Sequence, residues 1–406
     1  MSSNKGYLQV NVTEQNQTPV EDATVQIAYT NDPTTILEEL KTNLSGQTVQ
    51  VELPTPSIEF SEAPSETKPY EEYTITVKAE GFGECTIKSS ELLPDTLSIQ
   101  PVRLSSIENS IEIFEHTLFG SYPAKIPEAQ VKPIIEGGEI VLTRVVIPEY
   151  IIVHDGVPND RNAPNYYVPY ADYIKNVACS EIYANWPREA IIANVLAIQS
   201  FTMNRVYTEW YRGKGYDFTI TSSTAYDQKF IYQRNIFESI STVVDEIFDS
   251  YLSRPNVKQP IMTQYCDGRS VGCEDRGWMT QWGSKELASS GKTAIEILRN
   301  SYGSDIYVNS AEQISGVPMS YPGYALRLGS SGAAVRHLQN LLNVIGSVYP
   351  EIGQLAEDGI YGKKTEDAVK KFQKIFGLAQ DGITGKRTWY KVSQIYVGVT
   401  RIAETR

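Results

Sequence analysis

The stretch REAIIANVLAIQSFTMNRVYTEWY, which begins at Arg188, is apolar on nearly every helical face. No other segment constrains the fold as strongly. A helix without a polar stripe must be wrapped by other elements, so it marks the buried centre of a domain. Its approach is equally readable. VPYADYIKNVACSEI places Ile174, Val177 and Ala178 at helical spacing, and Asn185, Trp186 and Pro187 then punctuate the chain. Asn185 is expected as an N-cap, and Pro187 in the first turn, where its missing N–H costs nothing. Glu181 therefore falls at the corner between two packed helices.

A chain of 406 residues is too long for one ordinary core and suggests about two to four domains. GYLQVNV, ATVQIAY, TVQVEL, YTITVKA and TLSIQPVRL alternate as strands do, with turn-rich stretches between them, so residues 1–104 are expected to form a small β-sandwich. Residues 105–146 have no clean period. SIENSIEIFEHTLFG could form a short helix, and the Pro- and Gly-rich remainder reads as an extended linker. The informative helices lie in 147–315. In 316–406, AAVRHLQNLLNVIG, EDAVKKFQKIFG and KRTWYKVSQIYVG read as three helices. There DGIYGKKT and DGITGKRT repeat at an offset too short for a solenoid, which places Thr365 and Thr388 near two helix N-caps.

The net charge of −13 argues against nucleic acid as a partner, because no Lys/Arg patch compensates it. No apolar run is long enough to span a membrane, and MSSNKGYLQV carries no apolar h-region of a secretory signal. The spacing of Cys266 and Cys273 does not suit a CxxC zinc or redox pair, and only His116, His154 and His337 could add imidazole ligands. A metal site is therefore not expected, and the pair is either reduced or locally bridged.

The segment LRLGSSGAAVRHLQNLLN, followed by DGIYGKKTEDAVKKFQ and DGITGKRTW, resembles the three-helix peptidoglycan-binding module of wall hydrolases over most of 322–396. The resemblance implies that peptidoglycan is the partner. Further upstream, YIKNVACSEIYANWPREAIIANVLAIQSFTMNRV and RGWMTQWGSKELASSGKTAIEILRNSYGSDI resemble the SpoIID-like lytic transglycosylases. The family usually has an Arg where Gln199 stands, and a His-Gly run where CEDRGWMTQW stands. The N-terminal strands resemble transthyretin-like domains, which are usually structural. The order of all segments is similar to that of spore cortex-lytic enzymes of the SleC type. That likeness implies a zymogen, a spore location in or around the cortex, and a subtilisin-like germination protease that cuts near Ile140–Val146.

These resemblances give the expected fold class: a multidomain α+β protein with an N-terminal transthyretin-like β-sandwich, a central α+β SpoIID-like catalytic domain and a C-terminal three-helix peptidoglycan-binding domain. They imply Glu181 as the catalytic acid that protonates the bond between N-acetylmuramic acid and N-acetylglucosamine. Its carboxylate then assists the C6 hydroxyl in forming a 1,6-anhydro end. Acid–base chemistry at an acetal needs no cofactor, and one carboxyl suffices where hydrolases usually pair two. Tyr265, Gln281 and Trp282 are candidate sugar contacts, since stacking and amide hydrogen bonds suit N-acetyl sugars. Gln199 and Gln228 are further candidates by alignment. Asp172 reads as solvated helix surface and Glu189 as an early-turn residue favoured by the helix dipole. Asp267, Glu274 and Asp275 are either accessory acids or turn formers. Two rivals remain. One is an amidase that cuts muramic acid from L-alanine, and the other is a non-catalytic wall-binding or amidase-enhancer protein.

Overall fold

The computed structural model describes residues 4–400 except 16, 66, 108–109, 117–143, 270–272, 274–276 and 316–318. It is a multidomain α+β protein. Alternation in the first hundred residues builds two sheets: β1 (Asn4–Glu14), β4 (Val51–Thr55) and β7 (Leu97–Leu104) in one, and β2 (Thr24–Tyr29), β3 (Asp32–Lys41), β5 (Glu71–Lys78), β6 (Glu84–Leu92) and β8 (Ile111–Glu115) in the other. Val10, Val12, Val25, Ile27, Ile75, Val77, Ile87 and Val102 from both sheets share one core, which is the sandwich that period-2 patterning requires. At Gly46 the chain turns at φ +70°, and a Cβ there would lie 2.3 Å from the Val12 carbonyl oxygen. Only glycine fits that turn.

Ile111–Glu115, within the segment expected to be helical, is instead strand β8, paired in parallel with β6. An exposed edge strand gives little periodic signal, and Ile111 and Ile113 point outward at 69% and 57% exposure. His116 follows, buried against the β6 side and Arg234. Burial, with the Arg234 guanidinium beside it, pushes its imidazole down to about 4. The unfolded chain would protonate His116 near its ordinary 6.5, so its contribution is complete above that pH and is lost as pH falls toward 4. The expected loss over this window is about 3 kcal/mol. Melting temperature measured against pH should show this slope in the wild type and a shallower one in His116→Leu.

The central domain is wound around α3 (Arg188–Tyr207), in which every residue from Ala193 to Arg205 is buried. Most of its polar side chains are hydrogen-bonded inside. Asn194 donates to Ser284 Oγ at 2.7 Å, and Asn204 donates to the Pro260 carbonyl at 2.8 Å. Arg205 pairs with Asp227 at 2.8 Å, with both side chains essentially inaccessible. Pro187 itself is the N-cap of α3, with its carbonyl accepting from Ala190 N–H. Asn185, expected in that role, instead directs its amide to Ser61 of the sandwich, because a longer-range partner competes for the side chain. The preceding helix, α2, runs over Tyr170–Glu181.

The last segment forms α7 (Ala333–Gly346), α8 (Lys363–Ile375) and α9 (Lys386–Thr400) around Leu338, Leu342, Tyr361, Phe372 and Trp389. The sequence repeat has a physical function here. Gln339 Nε2 donates to Asp358 Oδ1, the Ile360 carbonyl and Thr365 Oγ1, while its Oε1 accepts from Gly359 N–H. Gln373 makes the same four contacts with Asp381, Ile383, Thr388 and Gly382. Each DG turn is thus locked to the helix before it. Thr365 and Thr388 sit at the third helical position rather than at the caps.

The three bodies touch. Gln47 donates to the Ile375 carbonyl at 2.8 Å, and Tyr349 donates to the Gln17 carbonyl at 3.0 Å. Strand β13 (Ile236–Phe237) of the central domain adds to β7 of the sandwich. A buried Arg234–Glu91 ion pair at 3.0 Å reinforces that junction. Among the described residues, no helix is long and apolar enough to cross a membrane.

Candidate active site

Glu181 is the last residue of α2, where the carbonyl end of the helix dipole disfavours negative charge. Its Oε1 accepts the Lys229 backbone N–H at 2.9 Å. It is also hydrogen-bonded to the Tyr265 hydroxyl. Tyr265 accepts in turn from Gln228 Nε2 at 3.0 Å, so its own proton is directed at Glu181. Gln228 Oε1 then accepts from Tyr173 at 3.0 Å and from Thr202 at 2.8 Å. The result is a directed chain of buried hydrogen bonds that ends on one carboxyl, the kind of network that fixes a side chain rigidly. Burial, with the Glu181 charge second, holds the Tyr265 hydroxyl well above its ordinary range, so it stays a donor. The Lys229 side chain is pushed down to about 8, first by burial and then by Arg234, while Glu91 and Glu181 oppose the shift.

Next to this corner, Trp186 and Trp282 lie 5.0 Å apart, Tyr183 meets both edge-on, and Arg269 sits 5.3 Å from the Trp282 ring. The sandwich covers the group through α1 (Glu59–Glu62). Trp186 Nε1 donates to the Ser61 carbonyl at 3.1 Å, and Lys285 reaches the Glu62 carbonyl. Cys266 is disulfide-bonded to Cys273, which settles the two alternatives that spacing allows. Closing so short a loop stabilises the fold by about 2.5 kcal/mol in the chain-entropy picture. Strand β15 (Tyr265–Cys266), which carries Tyr265, pairs with β16 (Met279–Thr280), and the bridge anchors it.

The structure brings Glu181, Tyr265 and Gln228 together, but it corrects most of the expected sugar contacts. Gln228 and Gln199 are fully buried, and Gln199 donates to the Ile247 carbonyl at 2.9 Å. Neither can reach a ligand. Gln199 sits on α3 and ties down α4 (Glu238–Ile247), while Gln228, in the loop before β13, reaches α3 through Thr202 and the Ile198 carbonyl and supports Glu181 through Tyr265. Tyr265 at 4% exposure, Gln281 at 6% and Trp282 at 9% are also covered, so no ring face among them is open for stacking in this arrangement. Asp172 is not free helix surface, since it accepts from Gln394 of α9 at 3.2 Å. Glu189 lies in the first turn of α3, as expected, and its carboxylate also accepts the Ala294 N–H at 2.7 Å, at the start of α6 (Ala294–Tyr302). Asp267 builds a turn by accepting Arg269 N–H at 3.0 Å. Glu274 and Asp275 lie outside the described residues. Of the region expected to hold the cut, near Ile140–Val146, Val145 is 1% exposed and β9 (Val146–Ile147) is strand-paired. Residues 140–143 lie outside the described residues.

Comparison with known proteins assigns the C-terminal module. Residues 331–392 match the family described as "Putative peptidoglycan binding domain". The chain carries a peptidoglycan-binding domain at its C-terminus. Among solved structures, the SleB N-terminal domain is 28% identical over 19% of this chain and 99% of that one, with a TM-score of 0.17. A peptidoglycan-binding protein from Clostridioides difficile, in complex with glutamine hydroxamate, is 33% identical over 22% of this chain and 50% of that one, with a TM-score of 0.16. No curated protein matches.

Proposed function

We propose that the chain is a peptidoglycan lytic transglycosylase of the spore cortex, with Glu181 as acid and then base. One observation carries the reading: a single carboxyl at a helix corner, held by Lys229 N–H and Tyr265, on a chain that also carries a wall-binding domain. In the reaction Glu181 gives its proton to the glycosidic oxygen as positive charge builds on the ring. The resulting carboxylate takes the proton of the muramic C6 hydroxyl, which attacks C1 and leaves a 1,6-anhydro end. Tyr265 and Gln228 fix the carboxyl through both states.

In this reading the central domain is SpoIID-like and the sandwich is a transthyretin-like pro-domain, in the order of the SleC-type enzymes. The contact of α1 with Trp186 and that of Glu91 with Arg234 motivate a zymogen. Removing the sandwich would uncover the tryptophan pair beside Glu181 and offer its rings to sugars. A protease of the subtilisin type would act on the linker upstream of Val145. The amidase rival has less support. Among the described residues, no group of three His, Cys, Asp or Glu side chains is placed to hold a metal, and burial raises the Cys179 thiol to about 11.

Dye release from labelled cortex tests this reading. The linker-cut form should release dye at least tenfold faster than the intact chain. No release from either form would favour the non-catalytic wall-binding rival, and equal release would remove the zymogen account.

A further inference from the structure

The outer face of the β1–β7 sheet does not meet open water. Alternation sends Val10 and Val12 into the core and turns Gln9, Asn11 and Thr13 the other way. Those side chains form the floor of a cleft of about 860 Å³. One wall comes from β11 (Asn165–Pro169) and residues 230–238 of the central domain, and the other from Tyr349 and residues 374–380 of the tail. Its charge opposes that of the chain. Six basic residues line it; Lys175 and Arg234 are buried in ion pairs with Asp245 and Glu91, which leaves Lys41, Arg103, Lys374 and Lys391 against two acids, Asp172 and Glu238, in a protein of net charge −13. Nine amide side chains and six aromatic rings also line the cleft. Tyr166 and Tyr232 stack at 4.0 Å, and Tyr167 beside them is 68% exposed. Gln100 to the Gln233 carbonyl, Gln47 to the Ile375 carbonyl and Gln394 to Asp172 tie the walls together.

We propose that this cleft binds a run of peptidoglycan glycan, with its carboxylates on the cations and its sugar faces on the tyrosines. The inference rests on the reading of wall glycan as substrate, and it adds a holding site apart from Glu181. The chemistry matches group by group. N-acetyl amides pair with Asn and Gln, ring faces with Tyr, and the lactyl carboxylates of muramic acids that carry no stem peptide with Lys and Arg. Because all three bodies contribute, the cleft exists only in the intact chain. A strand held there would dock the proenzyme on its substrate before the linker is cut.

Calorimetric titration of the full chain tests this, in a Glu181→Gln background so that no turnover occurs. The probes are a peptide-free N-acetylglucosamine–N-acetylmuramic acid tetrasaccharide and N-acetylchitotetraose, which lacks carboxylates. Tyr167→Ala should weaken both by about tenfold. Lys374→Ala, also at an exposed position, should weaken only the carboxylate-bearing probe, by about fivefold. Affinities unchanged in both variants would overturn the cleft and leave the cutting reading intact. So would a decamer of single-stranded DNA that binds as tightly as the tetrasaccharide and is weakened equally by Lys374→Ala. If affinity depends on Tyr167 while the linker-cut wild type releases no cortex glycan, the cleft stands and the lyase assignment falls.

Discussion

Glu181→Gln should reduce glycan release from cortex by roughly a thousandfold or more, within the range a general acid contributes. The fold should be preserved, because the amide oxygen can still accept from Lys229 N–H and from Tyr265. The melting temperature should therefore stay within about 2 °C of wild type. Sedimentation with purified wall should also be unchanged, since Glu181 is not part of the wall-binding module at residues 331–392. Loss of activity with retained stability and binding separates a chemical role from a structural one. A variant that keeps wild-type rates would remove Glu181 from the mechanism.

The second large effect concerns the core beneath the site. Asp227 accepts from Arg205 Nε, the Tyr211 hydroxyl at 2.7 Å, and both Thr221 N–H and Oγ1. Arg205 is 1% exposed and packs its guanidinium 4.3 Å from the Trp210 ring. Asp227→Asn leaves that cation buried without a counter-charge, at a cost of about 3–5 kcal/mol. The expected result is a fall in melting temperature on the order of 10 °C. A shift under about 2 °C would mean that solvent or another group compensates the arginine. Because Gln228 follows Asp227 directly, the same variant should loosen the Tyr265–Glu181 network and lower activity at temperatures well below melting.

Much of this was readable from residues alone, and the misses share a physical cause. The helix at 188–207 was legible because its apolar residues leave no polar stripe, and that alone placed Glu181 at a corner. Strands with inward valines were legible too. Asp32–Lys41 was not, because ILEEL carries no alternation and only its pairing with β2 makes it a strand. Gln228 was misread as a sugar contact because its four partners, Tyr173, Ile198, Thr202 and Tyr265, lie 55, 30, 26 and 37 residues away. A buried network leaves no local pattern. The Gln339 and Gln373 locks could have been found, since each glutamine precedes a DG repeat and faces inward from its helix. The contacts that join the bodies, such as Tyr349 to Gln17, span 332 residues. Nothing in the spacing announces them.

Mass spectrometry of cortex fragments released by the linker-cut protein tests the account most directly. It predicts new ends in the 1,6-anhydro form of N-acetylmuramic acid, absent from digests with Glu181→Gln. Freed L-alanine amino groups, or reducing muramic ends without the anhydro product, would contradict it.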